Sequence, residues 1–434
     1  MNSNQIRQQF LSFYIARSHQ IVPTEPLIAK SPDLTERTNL WTLPFHPISL
    51  GQRTSPSTYS TNLQKYISPN LTVLTERHLT FFEKLGNCGD YSLEQAIIWA
   101  WELCTEIYQL PPSRLVVSIP LNDTETFAIW RDRIGIPEHQ IVFSNYSFWR
   151  THPGGHSGGC VRIHYDRYPE RGYQSIELEP DIQYYSKNKE YYDNPDIISH
   201  VLDDEDLRFT CFYRLVLMEF DTGKFGTQRT PLAKKYIDAG MYVEQLAAIL
   251  QSASNLYEID LVFPIIQTVA QLAGIDYHQA DNWAKINLKA IADHLRAAIH
   301  LTADYHKILP NLPRQIHTLI RIWLLRIVWH GQMLGIERPF IELPIAIAID
   351  LEESFYPLLR QEQTKITTFL QKQESNWWKQ LENEQEKGII SGSFLYQLFH
   401  TYKCYIQDIR RWADYHGLEL DLAAYRAMLG PEID

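Results

Sequence analysis

The chain has 434 residues, 44% apolar and 21% charged, with a net charge of −11. That length predicts two or three domains of roughly 100–200 residues, and the composition is that of an ordinary globular protein. The acidic balance argues against a general affinity for nucleic acid or anionic membrane and leaves room only for a local basic face. Five cysteines (Cys88, Cys104, Cys160, Cys211, Cys404) lie far apart without a CxxC pair, so a reducing, cytoplasmic setting is expected. The first residues, MNSNQIRQQF, lack the apolar core of a signal peptide, and no apolar run approaches the ~20 residues of a membrane span.

In chain order, Ile6, Phe10 and Phe13 share one face of an N-terminal helix, with Ser3 or Asn4 as its expected cap. Residues 20–75 are rich in Pro, Ser, Thr and Asn and read as loops and short strands. In LTERHLTFFEKLGNCGDYS a Gly-Asn turn is expected to lead into Cys88, Gly89, Asp90 and Tyr91. LEQAIIWAWELCTEIY follows as a helix. SRLVVSIPL, HQIVFSN, CVRIHYD, YQSIELE and FTCFYRLVLMEF are β-branched or aromatic runs bounded by turns, hence strands, the long last one central in its sheet. From about residue 240 the period becomes helical, from EQLAAILQSAS through SGSFLYQLFHTYKCYIQDIRRWADYHG. The pattern predicts an α+β domain on an antiparallel sheet over residues 1–245, then an all-helical domain over 246–434.

Several collinear stretches, among them IRQQFLSFY, TERHLTFFEKLGN, AIIWAWELCT, LVLMEF, DAGMYVEQLAAIL, YEIDLVFPIIQTVAQLAGI and HGQMLGIE, resemble the N-terminal part of alanyl-tRNA synthetase, a class II aminoacyl-tRNA synthetase. The resemblance runs from about Ile6 to about Asp421. It implies a sheet of about seven antiparallel strands, a helical tRNA-recognition domain, and chemistry that forms an aminoacyl-adenylate from ATP with Mg and then charges tRNA. No counterpart of the family's later editing and C-terminal domains is expected.

Adenylation depends mainly on positioning and charge neutralisation, and class II enzymes use two arginines for it, whose planar forks match phosphate oxygens. By the resemblance, Ile67 stands where the first arginine aligns and Gln245 where the second does, with Tyr242 replacing a glycine. Losing one preorganised donor costs roughly 2.7–4 kcal/mol. Two independent losses would slow adenylation by roughly four to six orders of magnitude. Lys65 or Arg162 is a candidate to substitute in space, although lysine is the poorer bidentate partner. The retained Arg77, His78, Glu83 and Asn87 read as scaffold as readily as site; as site, the resemblance implies Arg77 and Glu83 as catalytic groups, with Arg77, His78 and Asn87 toward a weakly held ATP.

The resemblance further implies an amino-acid pocket. Asp238 matches the carboxylate that meets the substrate ammonium, Trp149 a wall of the alanine pocket, and Gly240 a glycine beside it. Arg214 and Arg162 replace an asparagine and a glutamate of the family. They point either to a ligand with an added carboxylate or to a decayed pocket in which they pair with acids. His152, His156, Cys160 and His164 are spaced by four, but the glycines and proline between them forbid a helix and no metal is expected. On the RNA side, Arg314, Arg321, Arg326 and His330 remain on the presumptive recognition helix among Trp323, Leu324, Leu325 and Trp329. His400 replaces an aspartate that reads the acceptor-stem wobble pair. Three readings follow: a small-amino-acid-activating relative with weak, altered or lost tRNA charging; a silent paralogue binding an amino acid, nucleotide or protein; and an RNA-binding protein without chemistry, which the acidic total disfavours.

Overall fold

A computed structural model describes residues 1–27, 59–68, 78–145, 147–150, 155–172, 208–222, 229–402, 404 and 406–429. Arg77, His152 and the expected strand YQSIELE lie outside the described residues. The described residues form two compact units. The first comprises those of Met1–Ile67 and Phe82–Asp260 together with His78; the second comprises Ser68, Leu79–Phe81 and those from Leu261 onward. The helix Val243–Leu250, which the sequence boundary at 245 divides, belongs whole to the first unit.

The N-terminal helix spans Ser3–Ile15, and its cap is Asn2 rather than Ser3 or Asn4. Asn2 accepts from the Gln5 N–H at 2.8 Å while the Gln5 side chain accepts from the Asn2 N–H at 3.0 Å, a reciprocal capping box. Ser3 instead donates its hydroxyl and its amide to Asp260, at 2.5 and 2.8 Å.

Among the described residues the sheet has nine strands: β1 (Gln20–Ile21), β2 (Ser60–Ile67), β3 (Phe81–Gly89), β4 (Leu115–Pro120), β5 (Ile141–Ser144), β6 (Phe148–Arg150), β7 (His156–Asp166), β8 (Phe209–Asp221) and β9 (Thr230–Tyr242). Their order is β1-β2-β3-β9-β8-β7-β4-β5, with β6 added beside β7. β8 is central, as its apolar run predicts. The middle of the sheet, β3-β9-β8-β7-β4, is antiparallel, whereas β1–β2 and β4–β5 are parallel. The expected Gly-Asn turn is not formed: Gly86, Asn87 and Cys88 continue β3 and pair with Gly240, Ala239 and Asp238.

Side chains alternate along a strand, so this register sorts the sheet into two faces. The N-terminal helix covers one. Its Arg7 pairs with Glu83, both fully buried, and the Tyr14 hydroxyl lies 2.7 Å from that of Tyr213. Leu85, Ile237, Ala239, Met241 and Leu215 fill this face. The other, distal face carries Phe82, Lys84, Gly86 and Cys88 of β3 with the partners they meet on β9 and β8.

In the second unit, helices span Phe263–Leu272, Asn282–Asp304, Arg314–Met333, Glu342–Glu352, Gln363–Lys387, Ile406–Tyr415 and Leu422–Leu429, among shorter turns. Trp323, Trp377 and Trp412 are fully buried anchors. Gly331 permits close packing, since a Cβ there would lie 2.5 Å from the Phe340 ring. Burial of Glu352 would raise its pKa, but Arg296 and His300, at 2.6 Å each, hold it far below the usual carboxylate range. Among the described residues, no helix is long and apolar enough to cross a membrane.

Candidate ligand site on the distal face of the sheet

The register brings together residues distant in sequence. One row across the sheet runs Ser118–Arg162–Arg214–Gly240–Gly86, and the next runs Cys160–Val216–Asp238–Cys88. Trp149 lies opposite Gly158 one row further on, and packs with Leu232 and Tyr236 against Cys160, Val216 and Met218. All five expected amino-acid-pocket residues, Asp238, Gly240, Trp149, Arg214 and Arg162, therefore share this face.

Asp238 is only 4% exposed. Burial pushes its carboxyl up to about 8, and the Lys84 ammonium is the charge that pulls it back. A buried carboxylate in this condition favours a cation brought to it, such as an α-ammonium. Gly240 leaves the floor beside it open: a Cβ there would meet nothing closer than Lys84 Cδ at 3.9 Å. Gly158 is glycine for a different reason. It sits at a β-bulge where a Cβ would fall 1.7 Å from the Leu217 carbonyl oxygen.

Lys84 is the main residue that the sequence reading passes over. Its ammonium lies 4.6 Å from the ring centres of both Tyr66 and Tyr242 and 5.7 Å from that of Phe82. Tyr66 and Phe82 stack at 5.4 Å. Strand alternation would have found it, because Lys84 is two residues from Gly86 and Phe82. Reading the segment as a turn hid that parity. Ser118, cross-strand from Arg162, meets His164 at 3.2 Å.

Glu83 and Asn87, expected toward catalysis and ATP, are placed on the helix-covered face instead. Glu83 is held by Arg7. Asn87 accepts from the Tyr213 hydroxyl at 2.9 Å and donates to the Tyr91 oxygen at 2.6 Å. His78 is half-buried, and its carbonyl lies 3.4 Å from the Tyr257 hydroxyl. Alternation with Tyr66 turns Lys65 and Ile67 away from the distal face. Lys65 is thus placed away from the substituting role expected of it, and Ser68, the next residue, is no cation. Gln245 lies in the first turn of Val243–Leu250. His156 bonds to the Tyr236 hydroxyl at 2.8 Å. Among the described residues, no group of three His, Cys, Asp or Glu is arranged to hold a metal.

In the helical unit Arg314 is exposed, but Arg321 lies over the rings of Trp377 and Tyr402 at 5.0 and 5.5 Å, and Arg326 is buried. Burial, with His294, Arg326 and Arg411 nearby, lowers His330 to about 3. His400 is exposed and stacks on Tyr396 at 4.3 Å.

A largely antiparallel sheet followed in sequence by a helical unit is the architecture expected of a class II synthetase core. A family model described as tRNA synthetases class II (A) matches residues 5–430. The chain belongs to that family. Within it the chain is similar to alanine–tRNA ligases. It is 40% identical to that of Microcystis aeruginosa over 98% of this chain and 47% of the relative. It is 38% identical to that of Nostoc punctiforme over 99% and 48%. To that of Synechocystis it is 38% identical over 98% and 47%. The chain thus spans about half the length of these curated relatives. Among solved structures, a chain of aspartyl tRNA synthetase from Entamoeba histolytica matches 58% of this chain and 55% of its own, at 12% identity and a TM-score of 0.25.

Proposed function

We propose that this chain binds a small amino acid and activates it with ATP and Mg, weakly, with tRNA charging altered or lost. The observation that carries this is Asp238: a buried carboxyl on the distal face, two residues from Gly240 on the same strand and cross-strand from Val216, against which Trp149 packs. Asp238 would hold the ammonium, and Trp149 would limit side-chain size and exclude water.

ATP would supply an α-phosphorus for the amino-acid carboxylate to attack, with pyrophosphate leaving. The distal face fits part of that cofactor. Lys84 would offer one cation there, among the rings of Tyr66, Phe82 and Tyr242. Ile67 and Gln245 offer no fork to the phosphates, and Arg77 lies outside the described residues. Transfer to tRNA is the weaker part of the proposal, since Arg321 and Arg326 are engaged within the helical unit. A reducing cytoplasm suits the five free thiols.

The test is amino-acid-dependent ATP–pyrophosphate exchange across a panel of amino acids. The expected result is weak exchange with one ligand, and alanine-dependent exchange far below that of a full-length synthetase. Robust alanine activation by the chain alone would overturn the weak-activation reading. No exchange with any amino acid, while one still stabilises the fold, would favour the second reading, a silent binding module. That reading is supported by the same Ile67 and Gln245.

A further inference from the structure

We infer that the helical unit holds a small-molecule site of its own, a cavity that takes a purine nucleotide, with the amine of the base received by Glu374 and the phosphate by Arg338 and Lys372. The inference is independent of the amino-acid reading of Asp238.

The cavity has a volume of about 840 Å³ and lies wholly within the second unit. It is formed by the helices Glu342–Glu352 and Gln363–Lys387 and by the segment 336–341 that precedes the first of them. Small-molecule sites occupy roughly 300–1,000 Å³ and are mostly apolar with a few placed polar groups. Here Leu272, Phe340, Leu343 and Ala346 supply apolar wall. Phe340 is a fixed part of it, since its ring is packed against Gly331. Leu272 and Leu343 are exposed, so the cavity opens to solvent on their side.

The polar groups lie at two depths. Glu374 is only 1% exposed. Its Oε1 accepts from the Phe340 and Ile341 N–H groups at 2.7 and 3.3 Å. The Trp378 indole N–H also stabilises the carboxylate but makes no aligned hydrogen bond. Oε2 therefore keeps its capacity for a donor brought into the cavity. Burial pushes this carboxyl up to about 7, so an added donor to its ionised form is favourable. Arg338 and Lys372 are exposed at the mouth, and among the described residues neither takes part in an ion pair. The acid beside them in the lining, Glu342, accepts from Gln371 Nε2 at 2.9 Å.

An occupant must then bring a donor to the buried end, an apolar body between, and an anion to the mouth. A fatty acid lacks the donor and an alkylamine lacks the anion. An α-amino acid carries its ammonium and carboxylate on one carbon, too close together for both ends. A purine nucleotide has an amine on a flat base and a phosphate held away from it across the ribose.

The experiment is titration calorimetry on the whole chain with AMP, GMP, adenosine, inorganic phosphate and purine riboside 5′-monophosphate, which has no exocyclic amine. It is repeated on Glu374→Gln, Ala346→Phe, the double variant Arg338→Ala/Lys372→Ala, and Lys84→Met. AMP or GMP is expected to bind at least tenfold more tightly than purine riboside 5′-monophosphate or phosphate. Glu374→Gln keeps an oxygen for the two backbone N–H groups and turns an NH2 toward the cavity, so it is expected to abolish that preference. Ala346→Phe is expected to weaken every nucleotide at least tenfold, the double variant to bring AMP down to the affinity of adenosine, and Lys84→Met to change none of this. A short single-stranded RNA ending in the preferred nucleotide separates the two sources of this chemistry: equal affinity assigns the free nucleotide and tighter binding the end of a strand, and either supports the site. Absence of nucleotide binding would overturn the inference, as would phosphate binding as tightly as AMP. AMP binding lost in Lys84→Met but kept in Ala346→Phe would place the nucleotide on the distal face of the sheet, overturning this inference and leaving the activation proposal standing. If Glu374→Gln does not fold, the ranking of AMP against purine riboside 5′-monophosphate on the parent and on Ala346→Phe decides.

Discussion

Asp238 is buried on the distal face of the sheet, and its titration gives two measurable consequences. Its folded pKa, pushed up to about 8, lies above the ~3.9 of an unfolded aspartate. Between those values the folded state binds more protons than the unfolded one, so this residue's contribution to stability is greatest below about pH 4. It is lost as pH rises toward 8. Asp238→Asn does not titrate. Relative to the parent it is expected to gain stability as pH rises from about 4 to about 8 and to hold that gain above, on the order of 3 kcal/mol at most once relaxation and water entry are allowed for. Urea midpoints at several pH values measure this, and parallel curves would contradict it. Ligand binding runs the opposite way, because an ammonium needs the ionised carboxylate. Apparent affinity is expected to rise about tenfold per pH unit up to about pH 8 and then level. A calorimetric pH series that stays flat would place the ammonium elsewhere.

Strand β3 shows what separates scaffold from site within one element. Glu83 and Lys84 are adjacent yet serve opposite faces. Glu83 is fully buried against Arg7, so Glu83→Ala leaves an uncompensated guanidinium and is expected to cost roughly 3–5 kcal/mol of stability. Lys84→Met keeps the stem against Tyr66 and Tyr242, and is expected to leave the denaturation midpoint nearly unchanged while altering ligand affinity. If Glu83→Ala folds with parental stability, the scaffold assignment is wrong. The two glycines make the same contrast between β7 and β9. Gly158→Ala forces a Cβ onto the Leu217 carbonyl and is expected to lose at least about 1–3 kcal/mol; Gly240→Ala meets nothing closer than 3.9 Å and is expected to change binding alone. Denaturation and calorimetry on the pair test this directly. These elements also show how far the sequence could be read. The long apolar β8 and the periodic helices announce themselves, and Asp238, Gly240 and Trp149 follow from family motifs. β9 does not: Thr230–Tyr242 carries two lysines, a proline and mostly exposed or half-buried residues along its first half, so no apolar run marks it. Without β9 the register of β3 is invisible, and with it the parity that places Lys84 in the site and Asn87 outside it.

At the scale of the whole molecule, the question is whether an acidic chain of this family still engages RNA. Non-specific RNA affinity comes from phosphates neutralised by exposed cations, each giving a slope of roughly −0.7 to −0.9 in log K against log salt. The net charge of −11 works against that attraction. On the helix Arg314–Met333, Arg314 faces solvent at its start, while Arg321 is laid over Trp377 and Tyr402 and Arg326 is buried. A guanidinium committed to aromatic faces cannot also reach a phosphate without giving up that contact. Few phosphates would therefore be neutralised along this helix, and a shallow salt slope, about −1 to −2, is expected with weak binding. His400 is exposed but stacked on Tyr396, and its Nε2 lies 3.4 Å from the Tyr425 hydroxyl. A ring held in this way lacks the carboxylate acceptor that family members bring to the acceptor-stem wobble pair. The expected outcome is equal, weak binding of a tRNA(Ala) and of the same tRNA with its wobble pair changed to a Watson–Crick pair, measured by gel shift across a salt series. A difference of more than about tenfold between the two RNAs would mean that base reading survives through another residue. A slope steeper than about −4 would mean that a basic surface lies outside the helix Arg314–Met333.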